Sequence, residues 1–146
     1  MTMETDMTQQ NASGGCLCGS VTLHVPALDN EVGICHCGTC RKWVGGPFFT
    51  IECGADVRIE GEEHLQAYAS SDWAERVFCK RCGTALFYRL KEDGAMAVSA
   101  GLFEPQALHL TKQIFIEEKP GYYEFANVTQ KMTGAEVFAA YGAKGD

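Results

Sequence analysis

The chain has 146 residues and a mass of 15.9 kDa, which is the size of one domain around a single core. Hydrophobic residues at 46% and charged residues at 21% exclude a disordered chain. The formal net charge of -7 argues against a general nucleic-acid binder, which needs clustered Lys and Arg to meet phosphates.

Residues 1–13 read as a flexible polar leader, and Gly14 with Gly15 opens a single domain over 14–146. The leader has no basic region followed by an apolar one, as a secretory signal would. No run approaches the roughly 18 apolar residues of a membrane span. A cytoplasmic location with no membrane partner is therefore expected. Val21, Leu23 and Val25 alternate with Thr22 and His24, the period of two that marks a half-buried strand. A short helical turn is predicted after Cys37, through Arg41 to Trp43, stopped by Gly45 and Gly46. Strands follow at 48–52, 57–60, 65–69, 84–90, 96–100 and 114–118, with Gly54, Gly61, Gly83, Gly94 and Gly101 as turns between them. Near the end Thr133 and Glu136 form the pattern of a capping box. Val137, Phe138 and Tyr141 then supply the apolar stripe of a helix that Gly142 ends. The prediction is a mainly β fold, antiparallel sheets folded over one another, with a short C-terminal helix.

The unusual feature is eight cysteines, which in a reducing compartment point to metal binding or catalysis before disulfides. Seven fall into three groups: Cys16 and Cys18; Cys35, Cys37 and Cys40; Cys79 and Cys82. A disulfide within so tight a pair would be a strained small ring. A thioredoxin-type pair needs Cys79 at a helix start, whereas residues 84–90 read as a strand. The usual spacings of an iron–sulfur protein are missing. Zinc takes four tetrahedral ligands, and cysteines two or three apart on a turn can share one ion. Cys16, Cys18, Cys79 and Cys82 would close one four-thiolate site. Cys35, Cys37 and Cys40 would then form a three-thiolate site with one position open, the catalytic arrangement. Spacing alone leaves open a second division, in which Cys35 and Cys40 join Cys79 and Cys82. His36, inside the triplet, is expected to lie behind the ligands or in solvent rather than to join them. His24 is read as a surface residue, and His64 and His109 suggest no site. Cys53, alone at the end of a strand, is expected to be a small buried hydrophobe.

GGCLCGSV (14–21), CHCGTCRKW (35–43) with GGPF (45–48), and RVFCKRCGTALFYR (76–89) together resemble the glutathione-dependent formaldehyde-activating enzyme and centromere protein V family. The resemblance covers about residues 14–125. It implies a β-tent fold around a zinc-bearing core, with Cys16, Cys18, Cys79 and Cys82 as ligands of a structural zinc. It implies Cys35, Cys37 and Cys40 as ligands of a catalytic zinc. The implied activity is that of a carbon–sulfur lyase, joining formaldehyde to glutathione as S-hydroxymethylglutathione. The chain departs from the family pattern at Gly101-Leu102-Phe103-Glu104, and again where Tyr122 and Tyr123 replace an aromatic Trp. Arg41, Lys42, Arg76, Lys80 and Arg81 flank the cysteines and suit a carboxylated thiol as partner. Arg41, Lys42 and Trp43 are the candidate substrate-binding residues, with Phe48 and Phe49 as further apolar walls or core. The competing expectations are a non-catalytic zinc module for a protein or nucleic-acid partner and a diverged enzyme of the same fold acting on another small thiol.

Overall fold

The computed structural model describes residues 9–104 and 107–141, without the side chains of residues 9, 10 and 141. A three-stranded sheet contains β1 (Gln9–Gly15), β2 (Thr22–Asp29) and β5 (Arg58–Glu60) in the order β1-β2-β5. An eight-stranded sheet contains β3 (Glu31–Cys35), β4 (Phe48–Gly54), β6 (Leu65–Ala69), β7 (Ala74–Cys79), β8 (Ala85–Leu90), β9 (Met96–Ser99), β10 (His109–Ile114) and β11 (Gln130–Met132). Its order is β11-β10-β3-β4-β9-β8-β7-β6. Among the described residues two α-helices, α1 (Gly38–Val44) and α2 (Gly134–Tyr141), accompany the strands. The mainly β expectation holds, as does the C-terminal helix.

Both helices form for the local reasons read from the sequence. Thr133 Oγ1 accepts from the Glu136 amide at 3.1 Å, and Glu136 Oε1 accepts from the Thr133 amide at 2.8 Å, so two otherwise orphaned donors are satisfied reciprocally. Gly142 lies outside the described residues. Gly45 ends α1 with φ 84°, a left-handed conformation that glycine adopts without a Cβ clash.

Several elements differ from expectation, β11 among them. β1 begins at Gln9, inside the segment read as leader, because its backbone pairs antiparallel with β2 despite small polar side chains. β3 was hidden by its shortness and by Gly33 at its centre. β7 carries Arg76 at an inward-facing position, which breaks the apolar alternation. The strand expected over 114–118 instead ends at Ile114. Phe115 takes φ 56°, and Ile116–Glu118 form a 3-10 turn. β10 also runs parallel to both β3 and β11, so the pairing is not antiparallel throughout. The chain reaches β10 only after a long excursion from β3, and a long crossover permits the parallel arrangement.

The register assigns each face of the large sheet. Ile51, Val98, Phe87 and Val77 lie in one cross-strand row. They are fully buried with Val21 and Leu23 in the core. Successive residues alternate faces, so Cys35, Phe48, Ile114 and Met132 and the pair Arg76 and Tyr88 look the other way. There Phe48, Phe115, Val137, Cys37 and Cys40 build a second apolar cluster. Among the described residues no helix is long and apolar enough to cross a membrane.

Candidate metal centres

The two cysteine sets are built by different local devices. Cys16 and Cys18 sit in the turn from β1 to β2, whereas Cys79 ends β7 and Cys82 lies in the turn to β8. Gly83 takes φ 82° and donates its amide to the Cys79 carbonyl at 2.7 Å, so the chain curls tightly enough for both sulfurs to face one point. All four sulfurs lie within 4.8 Å of one another. Cys16 to Cys18 is 3.6 Å and Cys18 to Cys79 is 3.7 Å. Those separations exceed the roughly 2.05 Å of a disulfide. They match the roughly 3.8 Å edge of a tetrahedron with metal–sulfur bonds of about 2.3 Å. The set bridges the two sheets, because one pair belongs to the β1–β2 turn and the other to the β7–β8 turn.

Polar neighbours favour the thiolate at the more exposed members of this set. A hydrogen bond with the Thr84 hydroxyl, 3.1 Å away, is the main cause that brings Cys82 down to about 5. The Ser20 hydroxyl, at 3.3 Å, likewise lowers Cys18. Burial raises Cys79. The Val21 amide donates to Cys16 Sγ at 3.4 Å, one of the backbone contacts that offset sulfur charge. Thr84 and Ser20 were not singled out in the sequence. Their signal is a hydroxyl two residues after the last cysteine of each pair.

The second set is assembled where β3 runs into α1. Cys35 is the last residue of β3, Cys37 caps α1, and Cys40 lies in its first turn. The Cys40 amide donates to Cys37 Sγ at 3.4 Å, so the capping contact itself draws the two sulfurs together. All three sulfurs lie within 4.8 Å of one another. Cys35 is pushed far up by its contact with Cys37, then by Cys40 and by burial. Three thiols this close cannot all ionise without a cation among them. Three soft donors, with no fourth ligand in the group among the described residues, suit a metal that keeps one position for another molecule. In space the sulfurs group four and three, the arrangement of the first of the two divisions that spacing allows.

His36 stays outside both sets, as expected. It is fully buried, with Nδ1 2.8 Å from the Tyr123 hydroxyl and Nε2 2.8 Å from Gln113 Oε1. Gln113 Nε2 in turn donates to Thr129 Oγ1 at 2.9 Å. With Gln113 presenting its oxygen, His36 carries its proton on Nε2, and Nδ1 accepts from Tyr123. Burial lowers the His36 pKa, consistent with the neutral ring. Tyr123 also stacks on His36 with ring centres 5.5 Å apart. It is one of the two tyrosines marked in the sequence as a departure from the family pattern. Gln113 carries no sequence signal, being one polar residue in a polar strand.

The flanking cations separate in space. Arg41 Nε donates to the His36 carbonyl at 2.9 Å, and Lys42 is exposed on α1. Arg81 reaches Ser20 beside the four-cysteine set, and Lys80 is exposed. Arg76, expected to await an anionic ligand, is instead 2% exposed and donates through Nη1 to Cys40 Sγ at 3.4 Å. Trp43 sets its ring face toward Arg76 and meets Phe48 edge to face. Phe49 is exposed, Phe48 is buried, and Cys53 is half-buried against the main core. His24 lies partly exposed between Ser13 and Glu60. A hollow of about 180 Å³ opens beside Cys35 and is lined further by Gly33, Thr50, Glu52, Thr111 and Ile114.

With this geometry in place, the chain matches the family model described as glutathione-dependent formaldehyde-activating enzyme over residues 11–118. The chain belongs to this family. An uncharacterised lyase of Schizosaccharomyces pombe is 36% identical to it over 126 residues, covering 85% of this chain and 92% of the relative. A Halomonas elongata protein, whose name assigns it provisionally to the glutathione-dependent formaldehyde-activating enzymes, is 30% identical over 136 residues, covering 80% and 82%. A crystal structure of a Rhodobacter sphaeroides protein superposes with a TM-score of 0.54 at 26% identity, covering 63% of this chain and 87% of that one. The family model spans both cysteine sets and ends before Tyr123, so the tyrosine that holds His36 falls outside the matched segment.

Proposed function

We propose that the protein is a zinc-dependent carbon–sulfur lyase that joins a small aldehyde to a thiol such as glutathione, in the manner of S-hydroxymethylglutathione synthesis. The observation that carries this reading is the grouping of the sulfurs into a set of four and a set of three, the second of which would leave a bound zinc one position for another molecule. Cys16, Cys18, Cys79 and Cys82 would hold a structural zinc that clamps the two sheets, and Cys35, Cys37 and Cys40 would hold a catalytic one. Zinc bound there supplies a lowered thiol pKa and a fixed position for the thiolate. Three thiolates leave a divalent ion with a formal charge of about -1, which suits thiolate handling better than generating hydroxide from water.

The reaction adds a thiol across a carbonyl. A carbon–sulfur bond forms, the carbon–oxygen π bond breaks, and the thiol's proton ends on the oxygen. The hollow beside Cys35 receives the part of the thiol beyond its sulfur. Arg41 and Lys42, both on α1, would meet a carboxylate of that thiol, and Trp43 would wall the site from the same helix. The Gly38 amide, donating to Glu118 Oε1 at 2.8 Å, and the His36–Tyr123 contact tie the segment carrying Tyr123 down next to the N-terminus of α1.

The test mixes purified protein with formaldehyde and glutathione and follows hemithioacetal formation by exchange NMR. Acceleration over buffer is expected, and its absence at micromolar protein refutes the activity. Cys40→Ser should abolish the acceleration while leaving the fold and one metal ion per chain. Loss of folding in that variant would show that the ligands are divided otherwise.

A further inference from the structure

Arg76 is the residue of the three-cysteine face that the proposed chemistry leaves unused. It stands on β7 opposite Tyr88 of β8, and its guanidinium is held from several sides. The Trp43 and Tyr88 rings lie 5.3 Å and 5.1 Å from its Cζ. Nε donates to Ser70 Oγ at 3.2 Å, and Nη1 donates to Cys40 Sγ at 3.4 Å. A guanidinium is not deprotonated in proteins, so this charge is permanent. The rings and the Nε–Ser70 hydrogen bond hold the planar group with Nη1 against the Cys40 sulfur. Burying such a charge is costly unless other groups compensate it. Here a sulfur and two π faces are among the groups that do.

We propose that Arg76 is a positioning residue that holds Cys40 and sets a fixed positive charge against it, so that the three-cysteine centre prefers an anionic fourth ligand to a neutral one. The inference rests on the metal-and-thiol reading above and deepens it, by naming the charge of the group the open position selects. A divalent ion with three thiolates is already negative, and a second anion approaching it is repelled. A cation a few ångströms away in a low-dielectric interior offsets that repulsion, while a neutral ligand feels little of it. A lysine ammonium would supply charge without the planar stacking, which accounts for an arginine between Trp43 and Tyr88.

The test loads the full chain with cobalt(II), whose visible and sulfur-to-metal charge-transfer bands report the ligands of each site. The three-cysteine site is titrated with 2-mercaptoethanol, which binds as a thiolate, and separately with imidazole, which binds neutral. The unchanging four-cysteine spectrum is subtracted. In Arg76→Met the ratio of thiolate to imidazole affinity is expected to fall at least about tenfold, with imidazole binding itself changed less than about threefold. Arg76→Lys is expected to recover most of the ratio. A purely structural role for Arg76 would weaken both ligands alike, and that outcome overturns the proposal, as does a ratio unchanged in Arg76→Met. Arg76→Gln, neutral but still polar, gives the same comparison if the methionine variant does not fold. Wild-type cobalt protein that binds neither ligand would have a different meaning, since it removes the thiol-handling reading before Arg76 is reached.

Discussion

Gln113→Leu tests the buried chain behind the three-cysteine set. Gln113 is 2% exposed, and its side chain bridges His36 Nε2 at 2.8 Å and Thr129 Oγ1 at 2.9 Å. Leucine has a similar volume, so neither a large cavity nor overpacking is introduced. Two neutral hydrogen bonds disappear, each worth about 0.5–1.5 kcal/mol net. Thr129 is half-exposed and can turn to water, but His36 is fully buried. Its Nε2, left without a partner, adds a penalty of about 1–3 kcal/mol. The added apolar burial of leucine offsets part of the total, which leaves about 2–3 kcal/mol of destabilisation. In a chain of this size each kcal/mol moves Tm by roughly 2–4 °C. The expected fall is therefore about 4–12 °C, read by circular dichroism on metal-loaded protein and checked by urea unfolding. Nitrogen-15 NMR adds a second readout. The His36 proton should move from Nε2 to Nδ1, from where it can donate to Tyr123. A loss below about 0.5 kcal/mol, the level of an ordinary surface change, with the tautomer unchanged, would refute the claim that Gln113 sets the state of His36.

Other consequences can be measured directly. Cys79→Ser, in the four-cysteine set, should remove one of the two ions per chain that the proposed sites would hold and unfold the protein or nearly so, because structural thiolate sites contribute about 10–16 kcal/mol in zinc-finger peptides; elemental analysis with circular dichroism reads both. Cys53 is pushed up to about 12, first by burial and then by Glu52 and Asp29. In the unfolded chain this thiol ionises near its ordinary value of about 8.5. Its contribution to stability is thus fully present below that pH and is lost as pH rises toward 12. Cys53→Ala should flatten that alkaline decline in denaturation curves, and mass mapping should find Cys53 resistant to iodoacetamide at pH 8 in folded protein. Thr133→Ala removes the hydroxyl that accepts from the Glu136 amide and should cost about 1 kcal/mol, with faster amide exchange confined to α2.

Much of the site was legible because its chemistry is local. Cysteines two or three residues apart can meet one ion whatever the rest of the chain does, and the glycine after Cys82 marks the turn that lets them. The cap of α2 and the alternation of β2 are likewise short-range. Arg76, by contrast, reads as one more flanking cation. Nothing within a few residues of it announces that Trp43 and Tyr88 will close over it or that Cys40 will lie beside it. Gln113 and Tyr123 are separated from His36 by 77 and 87 residues, and neither belongs to a motif.

The donor groups, the mainly β class, the glycine stop of α1 and the N-terminal cap of α2 were set by the sequence alone, the caps because they depend on contacts a few residues long. Only the tertiary structure decided how the donors divide. The β1–β2 and β7–β8 turns come together across the two sheets, which makes one closed set, and the β3–α1 junction is left with three. It also decided that β10 pairs parallel with β3, which carries Gln113 to His36, and that Arg76 faces the sulfurs instead of solvent. Those outcomes depend on strand order and register, which follow from burying both faces of one large sheet and not from any local pattern.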